Sequence, residues 1–304
     1  MIDKSNPYFK QTELLIETLP VIAQHNCYAL KGGTAINLFV QDMPRISVDV
    51  DLTYLPIKER DESFSDIEKT LKVISDDIKK RVIGAFVERI RNKDIIHKLK
   101  VIRNGSEIKI EPNLVIRGTA FPCEELELSS KTQEVFEMSA RIQVVSLADL
   151  YGGKICAALD RQHPRDLYDV KFLLDNDGLT EEIRKGFLVY LISHDRPIHE
   201  SLNPIFKDFE EVYKNEFIGM TSEVIPYEEL VEVRADLLNQ IKHALTQDEK
   251  DFLISFKKGS PDWELLGVKD VDRLPAVRWK LFNIQKMDDK KRGVFVNKLR
   301  EALD

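Results

Sequence analysis

The chain has 304 residues and a formal net charge of −7, and 43% of its residues are hydrophobic. This length exceeds that of a usual single core, so we expect two domains or one elaborated domain. No apolar run approaches the roughly 20 residues of a membrane span, which argues against a membrane partner. The three cysteines, Cys27, Cys123 and Cys156, lack C-x-x-C spacing, which favours reduced, mostly buried thiols and a cytoplasmic location over a disulfide framework or zinc site.

A glycine pair follows the first predicted element. Hydrophobic spacing predicts a helix over residues 8–24 and a short helix over 34–41. Between them, Gly32 and Gly33 predict a tight turn that opens the second helix. Free backbone N–H groups at a helix start favour phosphate, so this turn is a candidate phosphate site.

Two alternating carboxylates follow the glycine turn. Residues 47–54 predict a strand that places Asp49 and Asp51 on one face, and Val48, Val50 and Leu52 toward the core. Adjacent carboxylates repel unless a cation neutralises them. Mg²⁺ suits such oxygen ligands, together with waters and substrate phosphates. Each motif alone has a simpler interpretation, a chance glycine pair or an exposed strand face, but their order and spacing favour one site.

The next region predicts a charged helix and a hairpin. Residues 61–83 have the spacing of an amphipathic helix. Residues 97–103 and 107–113 alternate in polarity around Asn104-Gly105, a strong signal for a two-residue hairpin turn.

Glu111, on the second hairpin strand, is a candidate third metal ligand beside the two aspartates, and Glu107 is a weaker one. Pro112 is expected to end that strand and to leave Glu111 near a sheet edge. The alternative interpretation is a solvent-facing ladder of glutamates and lysines on this strand face.

A strand over 139–145 is followed by a helix that begins after Ser146, which has an acidic residue three positions later. Lys154 lies on a different face of this helix from the apolar residues. We therefore expect it outside the core, where lysines are usually solvated.

A further helix is expected to begin at Pro164, since proline is favoured in a first helical turn. Asp166 and Asp169 share one face of it, either as functional acids or as simple complements of the helix dipole. Arg165 could neutralise phosphate or pair with these two aspartates. His163, before the proline, is interpreted as a loop residue.

The remaining sequence is a succession of helical patterns. They cover residues 180–193, 227–245, 247–257, 275–286 and 292–303. Trp263 and Trp279 are interpreted as core or interface anchors rather than base-stacking platforms.

The acidic net charge argues against nucleic acid, but net charge averages over faces. Local basic runs occur at 79–81, 93–103 and 286–300. For each run a solvated helix or strand face is the favoured explanation, so the sequence permits an RNA partner without demonstrating one.

The motifs together resemble a known family. Gly-Gly followed by D-x-D is similar to the signature of polymerase-β-like nucleotidyltransferases. Leu30-Lys31-Gly32-Gly33-Thr34-Ala35, the segment from Arg45 to Leu52, Lys154 and Arg165-Asp166-Leu167-Tyr168-Asp169 resemble the AbiEii/AbiGii-type toxins of type IV toxin–antitoxin and abortive-infection systems. The resemblance covers roughly residues 30–175.

This resemblance implies an α+β fold: a polymerase-β-like core of mixed sheet and helices over 1–145, then a mainly helical domain over 146–304 that completes the active-site cleft. Family members often carry serine where this chain has Gly33. Any metal- or phosphate-binding role of that serine hydroxyl would fall here to backbone groups or Thr34. The implied site residues are Asp49, Asp51 and Glu111 as metal ligands; Asp49, Asp51, Lys154 and Asp166 in catalysis; Gly32, Gly33, Thr34, Lys154 and Arg165 for the nucleotide; and, as second choices, Asp169, Lys31, Arg45 and Ser47.

The implied activity is transfer of a nucleoside monophosphate from an NTP, with Mg²⁺ or Mn²⁺, to RNA. The tRNA 3′ end is the implied acceptor, and translation would stop. Lys154 would contact the triphosphate as a mobile positive charge. A cognate antitoxin would act without stable binding. The alternatives are transfer to a protein or small molecule, or a nucleotide-binding module without turnover.

Overall fold

The computed structural model describes residues 6–92 and 95–304, so Lys93 of the second basic run lies outside the described residues. The chain divides into two compact units. The first unit comprises the described residues up to Ser146 together with Ile218–Val224. The second comprises Leu147–Phe217 and Ile225–Asp304. In the part of the chain that the structure describes, no helix has both the length and the apolar character needed to cross a membrane.

The first unit is a mixed sheet with helices. Its elements are α1 (Pro7–Ile22), β1 (Tyr28–Lys31), α2 (Gly32–Ala35) with a π-helical turn (Ile36–Val40), β2 (Asp49–Tyr54), α3 (Arg60–Arg81), β3 (Phe86–Asn92), β4 (Ile95–Arg103), β5 (Ser106–Asn113), β6 (Glu124–Glu127), α4 (Ser130–Phe136) and β7 (Arg141–Val144). The sheet order in the described residues is β3-β4-β5-β2-β1-β7-β6. β2 is antiparallel to β1 and parallel to β5. The two motif-bearing strands, β1 and β2, therefore lie inside the sheet.

The predicted alternation along β2 is confirmed. Val50 and Leu52 are fully buried, whereas Asp49 and Asp51 are half-buried. The strand begins at Asp49 rather than two residues earlier, and Val48 is half-buried instead of fully in the core. Alternation therefore places both carboxylates on the same, more open face of the sheet.

The hairpin is confirmed, but the prediction that Pro112 ends its second strand is wrong. Asn104 and Gly105 take φ values of 50° and 81°, and Arg103 pairs with Ser106 across the turn. β5 continues through Pro112 to Asn113 between β4 and β2, so Glu111 is not at a sheet edge. Pairing with β4 stops at Ile110, so the missing N–H of Pro112 removes no hydrogen bond from that ladder.

The second unit is helical, which confirms the α+β class with a helical C-terminal region. Its elements are α5 (Leu147–Arg161), α6 (Pro164–Asn176), α7 (Glu181–Ser193), α8 (Ile198–Leu202), α9 (Glu210–Glu216), α10 (Tyr227–Ala244), α11 (Gln247–Lys258), α12 (Trp263–Leu266), a 3₁₀ turn (Val271–Arg273), α13 (Pro275–Gln285) and α14 (Asp289–Leu303). Pro164 is the first residue of α6, as predicted.

Two glycines let α5 and α7 cross closely. A Cβ atom on Gly186 would lie 2.1 Å from the carbonyl oxygen of Ala148, and one on Gly152 would lie 2.5 Å from the carbonyl carbon of Gly186. Because interiors are close-packed, this crossing leaves no room for a methyl group. It fixes the position of α5, which carries Lys154.

The two tryptophans differ in their surroundings. Trp263 packs against Phe252 and Phe256, with ring centroids 5.7 and 6.2 Å away, as expected of a core anchor. Trp279 is 65% exposed, so of the two predicted roles the core anchor is wrong and the interface anchor stays a prediction. On α13 the buried side is formed by Val277 and Ile284 instead.

Candidate active site

The backbone of Gly32 lies directly against the carboxylate of Asp51. Gly32 has φ +74°, and a Cβ atom there would lie 2.4 Å from Asp51 Oδ2. Across the antiparallel pair, Lys31 is the register partner of Asp51. Glycine is required here for its conformation and for its lack of a side chain. The turn and the D-x-D strand therefore form one local structure.

Gly33 rests on a buried arginine. A Cβ atom on Gly33 would lie 2.5 Å from Arg45 Nη2 and 3.1 Å from Ser47 Oγ. Arg45 is 2% exposed and donates from Nη1 to the carbonyl oxygen of Ile46 at 2.8 Å. A permanent positive charge thus lies beneath the glycine turn.

Thr34 ties the start of α2 to β2. Its buried hydroxyl lies 2.9 Å from Ser47 Oγ and donates to the carbonyl oxygen of Asp49 at 2.5 Å. With its side chain occupied in this way, Thr34 can offer a nucleotide only its backbone. Gly33 has no hydroxyl, so any phosphate contact at this turn would depend on backbone N–H groups.

The parallel register of β2 and β5 places charged residues side by side. Asp49 pairs in register with Lys109, and Asp51 with Glu111. In a parallel pair, register partners project from the same face, so Glu111 shares the face of Asp51. This placement agrees with the neighbouring-strand position expected for a third carboxylate.

The contacts of Glu111 nevertheless match the alternative interpretation, the Glu–Lys ladder. Lys98 Nζ lies 2.6 Å from Glu111 Oε1, and Lys100 Nζ lies 2.7 Å from Glu107 Oε2. Among residues 6–92 and 95–304, no three His, Cys, Asp or Glu side chains are arranged to share a metal ion. The donor set at hand is the Asp49 and Asp51 pair, which fits Mg²⁺, since that ion needs only one or two protein carboxylates beside waters and phosphates.

Lys154 of the second unit is buried, so the prediction that it lies outside the core is wrong. Its side chain is 6% exposed, and its Nζ lies 2.8 Å from Asp166 Oδ1 and 3.0 Å from Asp169 Oδ2. The two carboxylates are 2% and 0% exposed. Burial of the ammonium is possible because two opposite charges, one helical turn apart on α6, receive it.

Arg161, which the sequence analysis missed, is the second cation of this cluster. Its Nε lies 2.5 Å from Asp166 Oδ2, and its Nη2 donates to Asp166 Oδ1 at 3.0 Å. Burial raises the pKa of Asp166, but Lys154 and Arg161 outweigh that effect and hold its pKa well below the usual range. The sequence signal was an arginine at the end of one helix, five residues before an aspartate in the first turn of the next.

Arg165 and His163 make other contacts. Arg165 Nη2 lies 3.9 Å from Glu216 Oε2, and His163 Nε2 lies 3.1 Å from the same oxygen. The ring of His163 also caps α6 by accepting the backbone N–H of Arg165 at 3.2 Å. Burial lowers the pKa of His163, and Glu216 opposes the shift. His163 thus has a structural role that its interpretation as a loop residue missed.

Comparisons with known proteins identify the family and the fold. A family model described as "Nucleotidyl transferase AbiEii toxin, Type IV TA system" matches residues 13–283. The chain is also similar in structure to MenT4, a nucleotidyltransferase toxin from Mycobacterium tuberculosis H37Rv, with a TM-score of 0.62 and 16% sequence identity, over 97% of this chain and 93% of that chain. At that identity, the likeness shows the fold. No curated protein matches the sequence.

Proposed function

Because the chain belongs to the AbiEii family of nucleotidyltransferase toxins of type IV toxin–antitoxin systems, we propose that it transfers a nucleoside monophosphate from an NTP to RNA, at the tRNA 3′ end. This transfer would block translation in the cytoplasm. The observation that carries the proposal is the direct contact between the Gly32 backbone and the Asp51 carboxylate. It brings a candidate phosphate-binding turn against a pair of candidate metal ligands.

Asp49 and Asp51 are the proposed ligands of Mg²⁺ or Mn²⁺. They share one half-buried strand face. The Gly32 backbone lies so close to Asp51 that no side chain fits between them. When bound, the cation neutralises triphosphate charge and makes the acceptor hydroxyl easier to deprotonate. Glu111 remains a second-choice ligand, because it shares the face of Asp51 but is held by Lys98.

The chain's own groups bind and orient the triphosphate. Backbone N–H groups of the Gly32-Gly33 turn bind its phosphates, and the Arg45 guanidinium beneath Gly33 adds fixed positive charge. The acceptor hydroxyl oxygen forms a bond to the α-phosphorus as the bond to pyrophosphate breaks. The hydroxyl proton passes to solvent water and pyrophosphate leaves. Because the acceptor hydroxyl is itself the nucleophile, no protein nucleophile is needed. Lys31, the register partner of Asp51, is a further candidate contact to the nucleotide.

Lys154, Asp166 and Asp169 are proposed to act as a unit. Two buried carboxylates fix the ammonium of Lys154, so its role is that of a held rather than a mobile charge. Asp166 and Asp169 would be positioning residues, and Arg161 would secure Asp166 from its other side. Arg165 is proposed to contact phosphate.

RNA is the proposed acceptor because one of the three basic runs has exposed lysines that are not paired with carboxylates in the described chain. Lys79, Lys80 and Arg81 occupy the last turn of α3, where cations complement the helix dipole. Lys98 and Lys100 are paired with glutamates. In the third run, over 286–300, Arg292 pairs with Asp289 and Arg300 lies in the last turn of α14. Its four lysines, Lys286, Lys290, Lys291 and Lys298, are exposed and form no ion pair among the described residues. Membership of a toxin–antitoxin family implies a cognate antitoxin, which we propose acts without stable binding.

The test is label transfer. Purified protein would be incubated with total bacterial tRNA, Mg²⁺ and each α-labelled NTP in turn, beside a D49A/D51A control. We expect label on tRNA from the native chain and none from the control. Label on a protein or small molecule would favour a different acceptor, and NTP binding without any product would favour a non-catalytic module.

A further inference from the structure

One face of α13 presents aromatic rings to solvent. Trp279 is 65% exposed and Phe282 is 44% exposed, and their rings stack with centroids 5.9 Å apart at an interplanar angle of 28°. Lys286 follows on the same face, with Nζ 4.1 Å from the centroid of the Phe282 ring. We call these three residues the α13 ledge. Their spacing of three and four residues makes them neighbours along one helix stripe.

The ledge is not needed for packing. α13 buries Ala276, Val277 and Ile284 on its other side, as an amphipathic helix does. Exposed large aromatic residues that cluster on a surface commonly mark an interaction site. We therefore expect Trp279 and Phe282 to contact a binding partner from outside this chain.

The charge around the ledge points to a polyanion. Residues 273–300 contain nine lysines and arginines and two aspartates, in a chain whose net charge is −7. Lys280 donates to three backbone carbonyl oxygens, and Arg273 and Arg292 pair with Asp270 and Asp289, which leaves six exposed basic side chains. Arg278, Lys290 and Lys291 are exposed, and in the described part of the chain they form no ion pair. Arg292 Nη1 lies 3.4 Å from the carbonyl oxygen of Gln285, so the basic start of α14 adjoins the end of α13.

A second copy of the chain is a poorer occupant. A two-fold symmetric contact places the same patch against itself, so this face would bring two strongly basic segments together. Such like-charge contact is unfavourable. Single-stranded nucleic acid suits both features, because bases stack on exposed rings and phosphates meet the cations.

We propose that the α13 ledge binds a single-stranded segment of the RNA acceptor, with bases stacked on Trp279 and Phe282 and phosphates beside Lys286, Lys290 and Lys291. The inference rests on the proposed function, since it takes RNA as the acceptor. It adds a docking surface in the second unit.

Fluorescence gives a direct test, because the chain has two tryptophans. In a W263F variant, Trp279 is the single reporter, and stacking of a base on it quenches emission. The probe is a fluorescein-labelled single-stranded RNA of about 12 nucleotides, a length within the usual range of single-strand sites. We expect quenching at the concentrations where anisotropy reports binding. Binding without quenching overturns the proposal.

Affinity measurements separate stacking from charge. W279A should weaken binding of this RNA at least about five-fold while leaving the salt dependence unchanged. K290A/K291A should instead reduce the slope of log affinity against log salt by about 0.7 for each phosphate that the variant no longer neutralises. F86A is the matched control, since Phe86 is 61% exposed in the first unit, and it should bind like the native chain.

The outcomes distinguish this inference from the proposed function. If the native chain labels tRNA but W279A and native protein bind RNA with equal affinity, the ledge proposal is rejected and the proposed function stands. A monomer–dimer equilibrium that W279A abolishes, with RNA affinity unchanged, also overturns it and assigns the face to a second copy. A native chain that neither binds RNA nor labels it overturns the proposed acceptor and the ledge together.

Discussion

A Cβ atom on Gly32 would lie 2.4 Å from Asp51 Oδ2, so the glycine turn and the carboxylate strand exclude any side chain between them. Gly33 is different, because its Cβ position meets the guanidinium end of the buried Arg45 side chain, at 2.5 Å, rather than a proposed metal ligand. Gly32 also has φ +74°, whereas Gly33 has no such constraint. The two glycines should therefore respond differently to substitution.

We expect G32A to lower the rate of transfer at least about 100-fold. The added methyl group would displace either Asp51 or the turn, and a displacement of reacting groups by about 1 Å can reduce a rate by this factor. G33S should retain more activity, since Gly33, unlike Gly32, does not have a left-handed backbone conformation and does not contact a proposed metal ligand. Both are measured as rates of label transfer at saturating NTP, with circular dichroism to check folding. Equal losses in the two variants would contradict the distinct roles assigned to the two glycines.

The Lys154 cluster predicts a large stability effect. K154M leaves the buried carboxylates of Asp166 and Asp169 without their shared cation, and breaking a buried pair in this way typically costs about 3–5 kcal/mol. K171M is the control, because Lys171 forms ion pairs with the more exposed Asp175 and Glu229, and it should cost about 1 kcal/mol or less. Urea unfolding measures both, and similar small losses would show that the cluster contributes little.

The depressed pKa of Asp166 predicts acid sensitivity. Above its ordinary pKa of 3.8 the carboxylate is charged in the folded and unfolded chain, and its contribution to stability is complete. As pH falls below 3.8, the unfolded chain takes up the proton first, so the free energy of unfolding decreases until the folded pKa is passed. Comparing urea unfolding of the native chain and D166N between about pH 5 and roughly pH 3 tests this. If the free energy of unfolding of the native chain falls no more steeply with decreasing pH than that of D166N, the predicted acid sensitivity is contradicted.

The crossing of α5 and α7 predicts opposite effects of two glycine substitutions. G186A places a methyl group 2.1 Å from the carbonyl oxygen of Ala148, which requires the helices to separate and should cost about 1–3 kcal/mol or more. G293A, on α14 where nothing lies within 4 Å, should stabilise the chain by up to about 1 kcal/mol through helix propensity. Thermal unfolding measures both, and a neutral G186A would show that the crossing is not tight.

Local patterns predicted the parts of the site that depend on local geometry. Asp49 and Asp51 share a face because strand side chains alternate, and the Asn104-Gly105 turn has its own signature. Lys154 was misplaced because its burial depends on Asp166 and Asp169, which lie on another helix. Strand β6 was missed because Glu124–Glu127 offers no hydrophobic face and exists through pairing with β7. For Trp279 the core and interface alternatives could not be separated, because hydrophobic character does not reveal which side of α13 meets the core.

The sharpest test of the proposed metal site is label transfer to tRNA by D51N, an isosteric variant that removes the negative charge and one oxygen of a candidate ligand. We predict no transfer above background at any Mg²⁺ or Mn²⁺ concentration, with a free energy of unfolding close to that of the native chain. A folded D51N protein that transfers label at the native rate would contradict the assignment of Asp51 and the site built on it.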